Sequence, residues 1–233
     1  MSIPVRSIVE CRSCGAGAPA DVHFCPQCSR ILALGRHGDY FTFLGVPRRL
    51  TLDTALLEQR FRELSRQFHP DYFYNATATE RVASLERSAY LNDAYRTLRN
   101  PVSRVEYLLS LEGLAVSAPA GIESTAKPKV PASLLQEVFA LNEELDAIRE
   151  RRESGEDPRA LGARLETARK PIEEKRDEHE RQLEALSARW DATQERATLE
   201  ALRELMLERN YIHNLLATIE REAAEVSRPL SDR

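Results

Sequence analysis

The triplet His69-Pro70-Asp71 constrains this chain more than any other feature, because a proline at that point must end one helix before the next begins. Ahead of it, Leu57, Phe61, Leu64 and Phe68 recur at i, i+4, i+7 and i+11, which is a helical stripe. That arm starts near Thr51 or Asp53, both good N-caps. After a short polar loop a second arm is predicted from Glu80 to Leu98, with Val82, Leu85, Leu91, Ala94, Tyr95 and Leu98 facing inward. Pro70 fixes its own φ and denies His69 the α region, so the bend is rigid and carries an imidazole and a carboxylate. Arg62 and Arg66 share one face of the first arm, with Arg60 beside it. Taken singly, the arginines also fit a solvated face and the triplet an ordinary helix stop. No third group is placed to complete a catalytic or metal-binding set with His69 and Asp71. The chain is not expected to be an enzyme.

Short helices flank the two arms. Asp39 to Gly45 reads as one or two helical turns ended by the glycine, with Tyr40, Phe41 and Leu44 in contact. Asn100-Pro101 restarts a helix with proline at its first position, and Val102, Val105, Leu108 and Leu109 form its inward side.

All four cysteines fall in one short stretch, as Cys11-x2-Cys14, ten intervening residues, then Cys25-x2-Cys28. Two such pairs can face each other as a tetrahedral four-sulfur shell, which suits Zn2+, and iron takes the same ligands. Gly15 and Pro26 are residue types that let such knuckles bend. Two redox dithiols are the alternative, but no βαβ pattern surrounds either pair. With all four positions filled by protein the site is expected to be structural, one zinc ion supplying the folding energy of a segment too small for a core. His23, between the pairs, is expected at the surface.

Beyond residue 112 the sequence changes character. Residues 113–131 are rich in Ala, Pro, Gly and Ser, with Pro119, Pro128 and Pro131, and read as a linker. Ser133 can cap a helix whose seam is Leu134, Val138, Leu141, Leu145 and Ile148. Leu161, Leu165, Ala168, Ile172, Leu183 and Leu186 mark a second helical segment that Pro171 should kink or split. A third is expected from Asp191 to Glu222 through Leu199, Leu202, Leu205, Met206, Ile212, Leu215 and Ile219, with Trp190 at the turn. Three such helices can close one small core. The final residues, from Ser227, should fray.

The fold class is therefore all-α. It comprises a four-cysteine zinc module over 8–31, a helical hairpin domain over 39–112, the linker, and a three-helix bundle over 132–225. Charged residues at 30% and aromatics at 6% agree with helices bearing solvated outer faces. A net charge of −4 gives no bulk attraction to nucleic acid or anionic membranes. No apolar run approaches the ~18 residues of a membrane span, and Met1 to Glu10 hold no signal-peptide core. A soluble, cytoplasmic protein is expected. A zinc-ribbon nucleic-acid binder is the other class, but residues 8–37 carry only Arg12, Arg30 and Arg36.

An HPD triplet at the bend of such a hairpin resembles the J domain, the module that switches on DnaK-type chaperone ATPases. Asp39 to Gly45, the run RFRELSRQFHPDYFY from Arg60 to Tyr74, Leu91 to Pro101, and Arg104 to Gly113 together resemble the HscB family. HscB proteins are J-type co-chaperones of iron–sulfur cluster biogenesis. The cysteine module, including Phe24-Cys-Pro-Gln-Cys28, is similar to the zinc-binding head of eukaryotic members and departs from the shorter bacterial ones. The resemblance implies two partners, a dedicated DnaK-type ATPase and the scaffold protein on which clusters are assembled. It assigns His69, Pro70, Asp71, Arg62 and Arg66 to the chaperone, and Leu135, Phe139, Glu143 and Tyr211 to the scaffold. Gln136, Ala140 and Ala147 stand where some members carry apolar or acidic residues. Leu135, Phe139 and Tyr211 could instead be core residues, but their position off the seam favours exposure. A general J protein with other clients stays open, as does self-association through the metal module or the C-terminal helices.

Overall fold

The computed structural model describes residues 8–19, 21–34, 38–116 and 134–228. Ser133, expected as a cap, and Pro119, Pro128 and Pro131 of the expected linker lie outside the described residues. The chain forms two compact units, Met1–Leu111 and Glu112–Arg233.

In the first unit, strands β1 (Ile8–Glu10) and β2 (Gly17–Pro19) pair antiparallel, with Val9 opposite Ala18. This three-residue ribbon is too short to leave a pattern in the sequence. Helices α1 (Tyr40–Leu44), α2 (Thr54–Phe68), α3 (Ala78–Arg99) and α4 (Pro101–Leu111) follow. Their ends are set by local chemistry. Asp39 accepts the Thr42 N–H, and Asp53 accepts those of Ala55 and Leu56. Thr77 and Glu80 form a reciprocal capping box, so α3 starts two residues earlier than its apolar pattern suggests. Gly45 closes α1 at φ 64°, a left-handed conformation in which a side chain would be strained.

Phe41, Phe43, Leu44, Leu57, Phe68, Leu91, Ala94 and Leu98 fill the hairpin core, with Phe61, Leu64 and Tyr95 packed against it. Ile31 of the cysteine module belongs to this same core, and Phe24 and Leu34 pack on it. The inward face of α3 differs from the expected one. Val82 and Leu85 point outward, 53% and 57% exposed, while Ala83, Ser84 and Arg87 are buried in their place. The inward stripe there is partly polar, so a search for apolar residues selects the wrong side of the helix. In α4, Val102 is only half-buried and Arg104 is buried instead. Its guanidinium closes the end of α3 by donating to the carbonyls of Leu98 (2.6 Å) and Arg99 (3.4 Å), and to that of Leu50.

The second unit is a three-helix bundle of α5 (Leu135–Glu153), α6 (Pro158–Thr193) and α7 (Arg196–Val226). Its main core joins Val138, Leu141, Leu145 and Ile148 with Leu161, Leu165 and Ile172, and with Ile212, Leu215 and Ile219. Helix α5 is about half as long as α6, so the three-helix section spans only part of the long α6–α7 pair. Helix α6 runs through Pro171 without splitting. An interior proline costs about 3 kcal/mol, and the buried neighbours Leu165 and Ile172 offset it. The turn falls at Gln194, at φ 52°, and Glu195, rather than at Asp191. Trp190 is therefore a buried residue of the last turn of α6, not a turn residue, and Ser187 rather than Leu186 is buried beside it.

Candidate functional site

Helix α2 ends on Phe68, which is fully buried. His69 has φ −58° and ψ 126°, the extended ψ that a following proline imposes. Pro70 then opens a single 3-10 turn, Pro70–Phe73. The His69 Nδ1 accepts the Asp71 main-chain N–H at 3.4 Å and lies 3.5 Å from Asp71 Oδ2. Both side chains face solvent, 52% and 87% exposed. A polar tip held open in this way suits docking, whereas a proton-transfer site would be enclosed.

The bend is fixed from behind. The Phe68 carbonyl accepts hydrogen bonds from Ser84 Oγ (2.6 Å) and Ser88 Oγ (2.9 Å), both on α3. Beside the bend, Arg62 and Arg66 are exposed on α2. Arg62 pairs with Glu58 one turn back, and the Arg66 Nε donates to the Arg62 carbonyl at 3.3 Å. A hydrogen bond from Gln59 and the charge of Arg60 hold the Glu63 carboxyl below its usual range. The basic face is thus laced with acidic partners rather than uniformly positive.

The four cysteine sulfurs lie within 4.8 Å of one another. Cys11 to Cys28 and Cys14 to Cys25 are both 3.7 Å apart, far from a disulfide distance. A tetrahedral four-sulfur shell with metal–sulfur bonds of about 2.3 Å has edges of about 3.8 Å, so the thiols are spaced as metal ligands. Main-chain N–H groups of Ser13 and Cys14 draw the Cys11 thiol down to about 6. Although the Ala16 N–H favours its thiolate, burial and three neighbouring sulfurs push Cys14 up to about 12. Four sulfurs this close cannot all be thiolates without a cation between them. Positive φ at Gly15 (73°) and Ser29 (57°) closes the two knuckles.

His23 is not the surface residue expected. Its ring lies edge-on to Phe43 (4.8 Å) and Phe68 (4.9 Å), and its Nδ1 is 2.8 Å from Arg87 Nη1. Sequence reading missed Ser84, Arg87 and Arg104, because buried polar residues leave no periodic signal.

On α5, Leu135 and Phe139 are 41% and 66% exposed, and Glu143 continues the same face one turn on. The first two are therefore not core residues. Tyr211 differs, being half-buried against the bundle core. Among the described residues no helix is long and apolar enough to cross a membrane.

A helical hairpin with an exposed HPD bend defines a J-domain protein, and the DnaJ domain family profile matches residues 39–107. The human co-chaperone protein HscB is similar over 92% of this chain and 98% of its own, at 27% identity and a TM-score of 0.64. The chaperone HscB from Vibrio cholerae is similar over 81% of this chain and 99% of its own, at 26% identity and a TM-score of 0.53. The chain thus carries a DnaJ domain and is similar to HscB co-chaperones over most of its length.

Proposed function

We propose that this protein binds an iron–sulfur cluster scaffold protein and delivers it to a DnaK-type chaperone, whose ATPase it stimulates to promote cluster assembly and transfer. The observation that carries this reading is the solvent-facing His69-Pro70-Asp71 bend braced by Ser84 and Ser88, within a chain similar to HscB proteins over most of its length. His69, Pro70 and Asp71 form the docking tip, and Arg62 and Arg66 steer the encounter with a negatively charged chaperone surface. Exposed Leu135 and Phe139, with Glu143 beside them, offer the apolar and acidic face that receives the scaffold. Tyr211 contributes its accessible edge.

Holding both partners on one chain makes capture nearly intramolecular, so hydrolysis at the chaperone traps the scaffold while it is at hand. The cysteine centre holds one zinc ion in a structural role, the choice that a closed four-sulfur set favours. Cysteines used as metal ligands rather than in disulfides agree with a reducing compartment, and the reading places the protein in the cytoplasm. It requires neither nucleic acid nor membrane, and it allows self-association. The test is steady-state ATP hydrolysis by the chaperone alone, with this chain, and with chain and scaffold together. Stimulation by the chain, raised further by scaffold, is the expected result. Basal turnover under all three conditions overturns the reading.

A further inference from the structure

Arg87 is the largest of the fully buried side chains among the described residues, and it joins two parts of the first unit. Burying a guanidinium is costly unless its donors are used. Here Nε donates to the Leu32 carbonyl at 2.8 Å, Nη2 to the Ala33 carbonyl at 3.3 Å, and Nη1 to His23 Nδ1 at 2.8 Å. An arginine has no acceptor, so the His23 Nδ1 is the unprotonated nitrogen of that ring.

His23 lies between the two cysteine pairs, and Leu32 and Ala33 directly follow the second knuckle, with Leu32 packed in one small core with Cys11 and Cys25. Their positions follow from the second knuckle. The Cys25 N–H donates to the Arg30 carbonyl, the Ser29 N–H to that of Cys25, and the Leu32 N–H to that of His23. The same guanidinium lies 5.6 Å over the Phe68 ring, which His23 meets edge-on. Ser84 and Ser88, flanking Arg87 on α3, bind the Phe68 carbonyl. A single stretch of α3 thus holds the cysteine module on one side and, on the other, the residue that precedes His69.

We propose that Arg87 is a positioning residue through which metal occupancy of the four-cysteine centre sets the rigidity of the HPD bend. With metal bound, the knuckle presents His23 and two carbonyls where the guanidinium can reach all of them. The metal supplies the folding energy of that knuckle, so its loss releases those acceptors. A buried cation without acceptors is too costly to keep, and Arg87 then leaves its place over Phe68. The bend loses a support while its own residues are unchanged. The consequence for ATPase stimulation rests on the function proposed above; the structural coupling does not.

Amide hydrogen exchange on the full chain tests it, comparing zinc-loaded protein with protein stripped by a chelator. Stripping is expected to speed exchange over residues 66–74 by about tenfold or more, the size of a lost charge-assisted hydrogen bond. Zinc should restore protection, and the bundle should not change. Arg87→Lys keeps the charge without the fork, and His23→Phe keeps the ring without the acceptor. Each should give fast exchange over 66–74 while still holding stoichiometric zinc. His23→Phe serves if Arg87→Lys does not fold. Unchanged exchange in the stripped chain overturns the proposal, as does acceleration spread evenly over α1 to α4. Wild-type chain that shows the coupling but no ATPase stimulation would refute the proposed function and leave the coupling standing.

Discussion

The Ser84 hydroxyl donates a 2.6 Å hydrogen bond to the main-chain carbonyl of Phe68, the last residue before His69. Carbonyls in the final turn of a helix have no partner within it, and Phe68 is buried, so the acceptor needs a donor from elsewhere. Ser88 supplies a second one from the next turn of α3. The end of the first arm is therefore fastened to the second arm at the point where the exposed bend begins.

Replacing both Ser84 and Ser88 by alanine should leave that carbonyl without either hydroxyl. A buried unsatisfied carbonyl costs about 1–3 kcal/mol. Urea unfolding of the first unit should move by that amount, and Ser84→Ala alone by less. An unchanged midpoint in the double variant would mean the fastening contributes nothing.

His179, on α6, is buried, its Nε2 is 3.1 Å from Glu208, and burial lowers its pKa below the ordinary 6.5. The unfolded chain then binds a proton more readily than the folded one as pH falls through about 6.5, so stability declines with acidity over that range. Above it, where both states are neutral, the residue adds no pH dependence. Thermal unfolding followed through Trp190, the single tryptophan, should show this slope for the wild type and a shallower one for His179→Gln. Equal slopes would contradict the assignment.

Leu135→Ser with Phe139→Ser removes apolar surface that already faces solvent. Stability should stay within about 0.5 kcal/mol for each change, while affinity for the scaffold protein falls. Calorimetric titration of scaffold into the double variant checks this. Undiminished affinity would place the docking face elsewhere.

Metal uptake should release protons, because sulfur binds metal as thiolate and Cys14 is held protonated when no cation is present. Zinc affinity should therefore rise with pH, and Cys25→Ser should lose most of it. Competition with a chelating dye at several pH values reads both effects. A pH-independent affinity would argue against a four-thiolate shell.

Much of this architecture is legible in the sequence. Cysteine spacing locates the metal centre, the seam of Leu141, Leu145 and Ile148 locates the bundle, and the proline after His69 locates the bend. What escapes shares one cause. Ser84, Arg87 and Arg104 are buried because their polar groups meet specific main-chain carbonyls, and such pairings depend on tertiary placement rather than period. Hydrophobicity alone draws Val82 and Leu85 inward, yet the helix turns Ser84 and Arg87 to the core instead. Pro171 shows the same principle from the other side, since packing on both flanks overrides a local breaker. His23 reads as a surface residue between two ligand pairs because its aromatic neighbours, Phe43 and Phe68, are distant in sequence.

The most direct measurement is the ATPase rate of the proposed DnaK-type partner with wild-type chain and with His69→Gln. The His69 side chain is half exposed, so glutamine there should leave folding intact while removing the imidazole from the proposed docking tip. Stimulation by the wild type and its loss in the variant, at equal protein stability, is the predicted result. A His69→Gln chain that stimulates as strongly as the wild type would contradict the account.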